Sequence, residues 1–150
     1  SKEAVMTELF TERWSLLLAA IEEADRSATL DPRGKLEAVA GFIVDSYRHD
    51  PELMKVIIVE VTRAANSFGR THLPEIRRAY QSIAKIVADA EAAGAFRTDV
   101  DPMFASMSFY GAIEQLLSGW IFEVIPASDT SFEQAKELVV TTICDGLERR

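Results

Sequence analysis

Apolar residues recur at intervals of three and four along almost the whole chain, the spacing of helices that bury one side. Asp-Pro pairs punctuate this pattern, because aspartate caps a helix N-terminus and proline suits the first turn. The pairs are Asp31-Pro32, Asp50-Pro51 and Asp101-Pro102. Ser1 caps a further helix start, and a capping box of Thr130 with Glu133, or of Ser131 with Gln134, marks another. One more helix begins at about Leu73, after the break NSFGRTHLP. The pattern predicts six helices, the first running to about Ala24.

The segment VIIVEV, residues 56–61, is ambiguous because its β-branched residues favour a strand. We interpret it as helix, since a capping signal precedes it, TRAAN continues the helical pattern and no partner strand is predicted. The second helix carries a regular core stripe. Its members are Leu36, Val39, Ala40, Ile43 and Tyr47. The predicted fold class is all-α, a six-helix bundle that forms one domain over residues 1–150.

The fifth predicted helix, from Asp101 to a stop at Pro126, has apolar residues around most of its circumference. One set of apolar positions is Phe104, Met107, Ala112, Leu116 and Trp120. A second set is Met103, Tyr110, Ile113, Leu117, Ile121 and Val124. A helix of this kind must be covered on more than one side. We therefore expect it to face both its own core and a second subunit.

Composition narrows the class of protein. The 150 residues carry a net charge of -8, which makes these residues alone a poor binder of nucleic-acid phosphates. The single cysteine, Cys144, excludes an internal disulfide and a cysteine metal cluster. No apolar run reaches the length of a membrane span. The opening SKEAV lacks a methionine and enters a helical pattern directly, so we expect a piece of a longer protein.

No residue pattern points to catalysis, to a metal or to a cofactor. The two histidines, His49 and His72, precede predicted helix starts, and we interpret both as solvated helix-end residues. The sequence contains no nucleophile elbow, glycine-rich phosphate loop or HExxH motif. Asp99 and Asp101 have the spacing of a metal-binding pair, but capping explains Asp101 better. We expect a protein that is not an enzyme.

Several short motifs occur in an order typical of one family. They are Ser1-Lys2-Glu3-Ala4-Val5, D-P-E-L at residues 50–53, Glu60-x-x-Arg63, A-G-A-F-R-T-D at residues 93–99, and Gly111 with Trp120. In order and spacing they resemble the C-terminal regulatory domain of tetracycline-repressor-like (TetR/AcrR) transcription factors. The resemblance covers the whole chain. The helix-turn-helix head that binds DNA in this family has no counterpart in the sequence.

The resemblance implies a homodimer in which the last two helices of each subunit form a four-helix bundle. The implied interface residues are Gly111, Leu117, Ser118, Ile121, Leu138, Val139, Thr142 and Ile143. Residues 1–24 are implied to link this domain to a missing N-terminal head that binds operator DNA. Lys2, at the start of this linking helix, is implied to touch a DNA phosphate, and an ordinary exposed lysine is the alternative.

The resemblance also implies an effector inside the bundle, between the helices that start near Asp31, Asp50, Leu73 and Asp101. Such pockets are apolar with a few polar groups. The candidate polar or aromatic residues are Tyr47, Glu60, Arg63, Tyr80, Tyr110, Glu114 and Gln115. The candidate wall residues are Phe42, Ile57, Phe68, Ile83, Met107 and Trp120. Plain core packing is the alternative for each wall residue.

Three charged candidates have open alternatives. Glu60 and Arg63 are three residues apart and either pair with each other or leave Arg63 to receive a ligand carboxylate or phosphate. Their placement, with the run Gly111 to Glu114, resembles the fatty-acid-regulator branch of the family, whose effectors are acyl-CoA thioesters. Glu114 lies among apolar neighbours and needs a partner. Three alternatives remain for the Glu114 carboxylate: it binds the ligand, it contacts the second subunit across the dimer interface, or it extends to solvent.

The predicted function is that of a cytoplasmic, ligand-responsive transcriptional repressor of this family. This chain would bind a small, mostly apolar effector and dimerise. The alternative is a structural helical dimerisation module without a ligand. A hollow in the bundle distinguishes the two, because packing alone leaves few voids larger than a water molecule.

Overall fold

The computed structural model describes residues 1–63 and 72–149, with the side chains of residues 3 and 59–63 outside the description. These described residues form six α-helices and an isolated β-bridge. The helices are α1 (Lys2–Arg26), α2 (Pro32–His49), α3 (Pro51–Arg63), α4 (Leu73–Ala92), α5 (Pro102–Ile121) and α6 (Asp129–Leu147). The predicted all-α class is confirmed, and the ambiguous segment VIIVEV lies within α3.

Side-chain caps set the helix starts. Ser1, Asp31 and Asp101 each accept a hydrogen bond from a backbone amide of the first turn, as predicted. The start of α6 differs from the prediction. Ser128 caps this helix by accepting from the amide three residues ahead at 3.1 Å, so the expected capping box, with its cap at Thr130 or Ser131, is wrong. Thr130 already lies inside the helix.

The end of α5 comes earlier than the predicted stop at Pro126. The helix ends at Ile121, and the carbonyl of Gly119 accepts a hydrogen bond of 3.1 Å from the amide of Ile125. Ile125 folds back over Gly119, where an added Cβ would lie 3.0 Å from its side chain. The absence of a side chain at Gly119 therefore permits the turn that ends the helix.

The connection from α4 to α5 is tied to the end of α6. Gly94 takes the left-handed conformation, with φ of 81°, and ends α4 as predicted. Just beyond it, the amide of Arg97 donates to the carbonyl of Leu147 at 2.7 Å, beside a bridge between Phe96 and Glu148. The chain segment before α5 is thus held against the last turn of α6.

The core is built around α2, which packs against each of the other five helices. All five residues of its predicted core stripe are buried, and α4 adds Ile83 and Val87 to the same core.

His72 is also buried, with its ring 4.6 Å from that of Phe10, so the prediction that it is solvated is wrong. None of the described helices combines the length and apolar character needed to cross a membrane.

Candidate functional site

Two small cavities adjoin each other between the first five helices. Their volumes are about 70 and about 140 Å³. The residues that line both are Phe10, Trp14, Ile57, Ile58 and Tyr110. The smaller cavity is also lined by Arg13, Leu16, Leu17, Phe42, Ile43, Ser46, Met54 and Leu117. The larger is also lined by Ile76, Tyr80 and Glu114. We call the two together the aromatic cavity.

Aromatic rings in edge-to-face pairs form the walls of this cavity. Trp14 of α1 and Tyr110 of α5 have ring centroids 6.0 Å apart, with 66° between the ring planes. Tyr80 of α4 meets Tyr110 at 5.3 Å and again at 66°. Phe10 stacks on Trp14 at 5.3 Å. These separations lie in the favourable range for aromatic pairs, so three helices hold the walls in fixed orientations.

Glu114 is the acidic side chain that lines the larger cavity. Burial raises the pKa of its carboxyl group, and a hydrogen bond from the Tyr110 hydroxyl, one helical turn away, partly opposes that rise. Burial also raises the pKa of Tyr110 well above its usual value, so the phenol remains a neutral donor. Among the described residues, no basic side chain forms an ion pair with Glu114.

A basic side chain lies at the other end of the aromatic cavity, but its charge is matched. Arg13 lines the smaller cavity and lies 3.7 Å from the carboxylate of Asp50, the residue that precedes α3. This pair sits between α1 and the start of α3. The two parts of the cavity therefore differ. The smaller part holds Arg13, whose charge is paired with Asp50, and the larger part holds Glu114, which has no described counter-ion.

Two hydrogen bonds fix the cavity walls to the surrounding backbone. The indole Nε1 of Trp14 donates to the carbonyl of Glu75 in the first turn of α4, at 2.8 Å. The hydroxyl of Ser106, fully buried on α5, donates to the carbonyl of Tyr80 at 2.7 Å. Each bond joins two helices that carry a wall of the cavity. The two bonds therefore tie α1 and α5 to α4 beside the cavity.

Five of the candidate ligand residues line the aromatic cavity. They are Phe42, Ile57, Tyr80, Tyr110 and Glu114. Gln115, the neighbour of Glu114, is exposed on the outer side of α5. The side chains of Glu60 and Arg63, together with the whole of Phe68, lie outside the described residues.

Four other candidates lie elsewhere, and the structure gives the reason for each. Tyr47 and Trp120 stack on each other at 5.7 Å in an aromatic cluster with Phe132 of α6. Ile83 is fully buried in the core, and Met107 is 52% exposed on the outer side of α5. These four residues follow the predicted periodicity of their helices, but the helix crossings turn them away from the cavity.

The contribution of α1 to the cavity was not predicted. Phe10, Trp14 and Leu17 line it from this helix, although the predicted effector site is bounded by the later helices alone. The signal was present in the sequence, since Trp14 and Leu17 belong to the apolar stripe of α1. What the stripe does not reveal is which other helices it faces, and in the structure α1 packs against α2, α3 and α4.

A second feature is an uncharged, exposed face on α5 and α6, which we call the outer face. On α5 it follows one stripe at helical spacing. The stripe comprises Phe104, Met107, Ser108, Gly111, Gln115 and Ser118, and Phe122 follows it just beyond the end of the helix. On α6, which packs against α5, the uncharged and exposed positions at helical spacing are Gln134, Leu138 and Thr142. Phe104 is 73% exposed and Leu138 is 59% exposed. Large apolar side chains concentrated on one face are typical of an interaction surface.

The predicted dimer residues divide between this face and the core. Gly111, Leu138 and Thr142 are exposed on the outer face, where Ser118 is half-buried, and Ile143 is half-buried beside it. Leu117, Ile121 and Val139 are instead buried within the chain's own core. These three lie on the inner sides of α5 and α6, so they support the outer face from beneath and do not form it.

The structure also gives the positions of the other residues that the sequence analysis considered. Lys2 is exposed in the first turn of α1. Cys144 is fully buried, and burial raises the pKa of its thiol to about 11. Asp99 pairs with Arg97 at 2.6 Å, while Asp101 caps α5. The described part of the chain holds no cluster of His, Cys, Asp or Glu that is suited to a metal ion.

Solved structures with the same fold come from several bacteria. The TetR family transcriptional regulator PfmR from Thermus thermophilus is 20% identical, with a TM-score of 0.77 over 99% of this chain and 78% of that chain. A protein of unknown function from Rhodococcus sp. RHA1 is 19% identical, with a TM-score of 0.74 over 99% of this chain and 76% of its own. SCO3833, a TetR family member from Streptomyces coelicolor A3, is 19% identical, with a TM-score of 0.69 over 99% of this chain and 72% of that chain.

At the level of sequence, no curated protein matches the chain. The profile of one domain family does match, over residues 32–143, which is most of the sequence. That family is described as the tetracyclin repressor-like C-terminal domain. The match runs from the start of α2 into the last turns of α6 and so includes the outer face and most of the aromatic cavity. The chain therefore belongs to the tetracyclin repressor-like C-terminal domain family and has the fold of TetR-family transcriptional regulators.

Proposed function

We propose that this chain is the effector-binding and dimerisation domain of a ligand-responsive transcriptional repressor. The observation that carries the proposal is the aromatic cavity, which five helices bound and which includes a wall from α1. A domain whose helices served only to pack would leave few voids larger than a water molecule. A cavity walled by aromatic and apolar side chains, with a few polar groups, is the usual form of a small-molecule site.

The outer face is proposed to pair with the same face of a second copy. The argument rests on the exposed apolar side chains, chiefly Phe104, Met107 and Leu138, and on the absence of charge along the α5 stripe. Small residues such as Gly111 in that stripe allow two helices to approach closely. Pairing of α5 and α6 with their copies would form a four-helix bundle and bury roughly 1,200 Å² or more.

Operator DNA is proposed to be the partner of a head that precedes α1 in the whole protein. Lys2, exposed at the start of α1, would then lie near the DNA backbone, where a cation favours phosphate contact. In this arrangement α1 is the linking helix between head and body. Its displacement would change the spacing of the two heads in a dimer, and half-site spacing is decisive for operator binding.

The proposed response couples the cavity to α1 through Trp14. A molecule that fills the cavity contacts the ring of Trp14, and that ring is bonded to the first turn of α4. The ligand therefore favours one of two arrangements of α1 against α4. It shifts the equilibrium only by its difference in affinity for the two arrangements.

The size of the cavity favours a small apolar effector over an acyl-CoA. The two volumes, about 70 and about 140 Å³, are below the roughly 300–1,000 Å³ typical of drug-sized sites. An acyl-CoA also carries phosphates, and the basic side chain described at the cavity is already paired with Asp50. A compact molecule with a short apolar tail fits these walls better.

A series of primary alcohols from butanol to decanol tests this proposal by calorimetric titration. Affinity is expected to rise about fourfold for each added CH2, until the cavity is full, and then to stop rising. The variant Ile58→Phe, which adds bulk to both parts of the cavity, is expected to stop the rise at a shorter chain. Absence of saturable binding across the whole series would favour the structural dimerisation module.

A further inference from the structure

The chemistry of the aromatic cavity distinguishes between classes of effector. Glu114 is the acidic group in its wall, and three aromatic rings from three different helices surround the same space. Those rings are Trp14, Tyr80 and Tyr110. Neighbouring pairs meet at 66°, so the rings bound the space on adjacent sides.

Aromatic rings and a carboxylate attract the same kind of ligand. The electron-rich face of a tryptophan or tyrosine ring stabilises a cation, and such cages are the usual means of holding a quaternary ammonium group. A carboxylate removed from water needs a positive partner. Among the described residues, Glu114 has a hydrogen bond from Tyr110 but no ion-pair partner. A ligand cation would supply the missing charge.

The other end of the cavity suits a tail. Its lining from α2, α3 and α5 includes Phe42, Met54 and Leu117, which offer apolar surface. Arg13 at this end is paired with Asp50, so it does not offer an unmatched charge to an anion. The two parts of the cavity share five lining residues and are therefore adjacent, with the carboxylate at one end only.

Resting on the proposed function, we propose that the effector is a hydrophobic ammonium ion. Its charged nitrogen lies between Trp14, Tyr80 and Tyr110, opposite the carboxylate of Glu114, and its short apolar tail extends toward Phe42 and Met54. An anionic effector of the same size is rejected by Glu114. A neutral one binds through its tail alone and leaves the carboxylate without a counter-ion.

Three probes with one tail and different heads test this assignment by calorimetric titration of the chain. They are hexyltrimethylammonium, 1-hexanol and hexanoate. Hexyltrimethylammonium is expected to bind at least about tenfold more tightly than 1-hexanol. This difference is the gain expected when a cation is held by aromatic rings and a carboxylate. Hexanoate is expected to bind most weakly. In Glu114→Gln the preference for the cation over the alcohol falls to about threefold or less.

The matched control is Glu37→Gln, which removes the same charge from an exposed position on α2 and is expected to keep the full preference. Equal affinity for the cation and the alcohol in the unmodified chain would overturn the assignment. So would a cation preference that survives Glu114→Gln. If either result is obtained while 1-hexanol or hexanoate still binds, the ammonium assignment fails but the proposed effector cavity stands. Failure of all three probes to bind would contradict the cavity's role as well as the ammonium assignment.

Discussion

The indole nitrogen of Trp14 donates a hydrogen bond of 2.8 Å to the backbone carbonyl of Glu75, and this bond joins α1 to the first turn of α4. The same indole is a wall of the aromatic cavity. A single side chain thus belongs both to the space where an effector would lie and to the contact that positions α1. The account of function depends on this double role.

Trp14→Phe tests the double role, because it keeps an aromatic ring and removes the N–H donor. Loss of the hydrogen bond is expected to lower the free energy of unfolding by about 1 kcal/mol. Denaturant unfolding followed by circular dichroism measures this change.

Trp120→Phe is its matched control. Trp120 donates to Ser131 at 3.0 Å, so its loss is expected to cost a similar amount of stability, but it lies outside the cavity. Binding of 1-hexanol should therefore change in Trp14→Phe and not in Trp120→Phe. Equal binding by both variants would remove Trp14 from the proposed site.

The outer face predicts which substitutions separate the proposed dimer without unfolding the chain. Met107→Arg and Leu138→Arg place a charge on exposed positions, so each is expected to give folded monomers by sedimentation velocity. Leu117→Arg differs, because this side chain is only 3% exposed within the protomer, and the variant is expected to unfold. Dimers that persist in both surface variants would show that pairing uses another face.

Glu114 predicts a pH dependence of stability. Its pKa is raised in the folded protein by burial, so the folded state binds a proton more readily than the unfolded state. The cost of ionising Glu114 is absent below the pKa of an ordinary glutamate, and it grows as pH rises toward the raised value.

Glu114→Gln removes that cost. The variant is therefore expected to gain stability relative to the unmodified chain between about pH 4 and about pH 8, with little difference at the lower pH. Denaturant unfolding at both pH values measures the two free energies. A stability difference that does not change with pH would contradict a raised pKa in the folded state.

Added bulk is expected to cost less stability in the cavity than in the core. Ile58→Phe adds a ring where space exists, so its free energy of unfolding is expected to change by less than about 1 kcal/mol. Val39→Phe adds more bulk at a fully buried position of α2 that lines neither part of the cavity, and overpacking is expected to cost about 1–3 kcal/mol. Equal destabilisation by the two would argue that the cavity is closed to additional atoms.

The helix starts at the Asp-Pro pairs and the core stripe of α2 followed from local chemistry. An aspartate before a proline specifies a start by itself, and a stripe such as Leu36 to Tyr47 must be covered wherever the helix packs. The end of α5 was not predictable in the same way. It depends on Ile125 folding over Gly119, a contact that the Pro126 signal does not contain.

The cavity was predicted in part, because its walls depend on how helices cross. Tyr110 and Tyr80 were identified from residue type, whereas Phe10 and Trp14 enter the site only because α1 packs beside α3 and α4. Leu117 and Met107 illustrate the same point. Both are apolar positions of one helix, yet one faces the core and the other the outer face. Periodicity shows which residues share a side of a helix, but it does not show which neighbouring element packs against that side.

A crystal structure determined under xenon pressure tests the central claim most directly, since apolar cavities take up xenon. The account predicts xenon between Trp14, Ile57 and Tyr110, in a dimer whose copies meet through Met107 and Leu138 on α5 and α6. An interior without xenon, or copies that leave Met107 and Leu138 in contact with solvent, would contradict it.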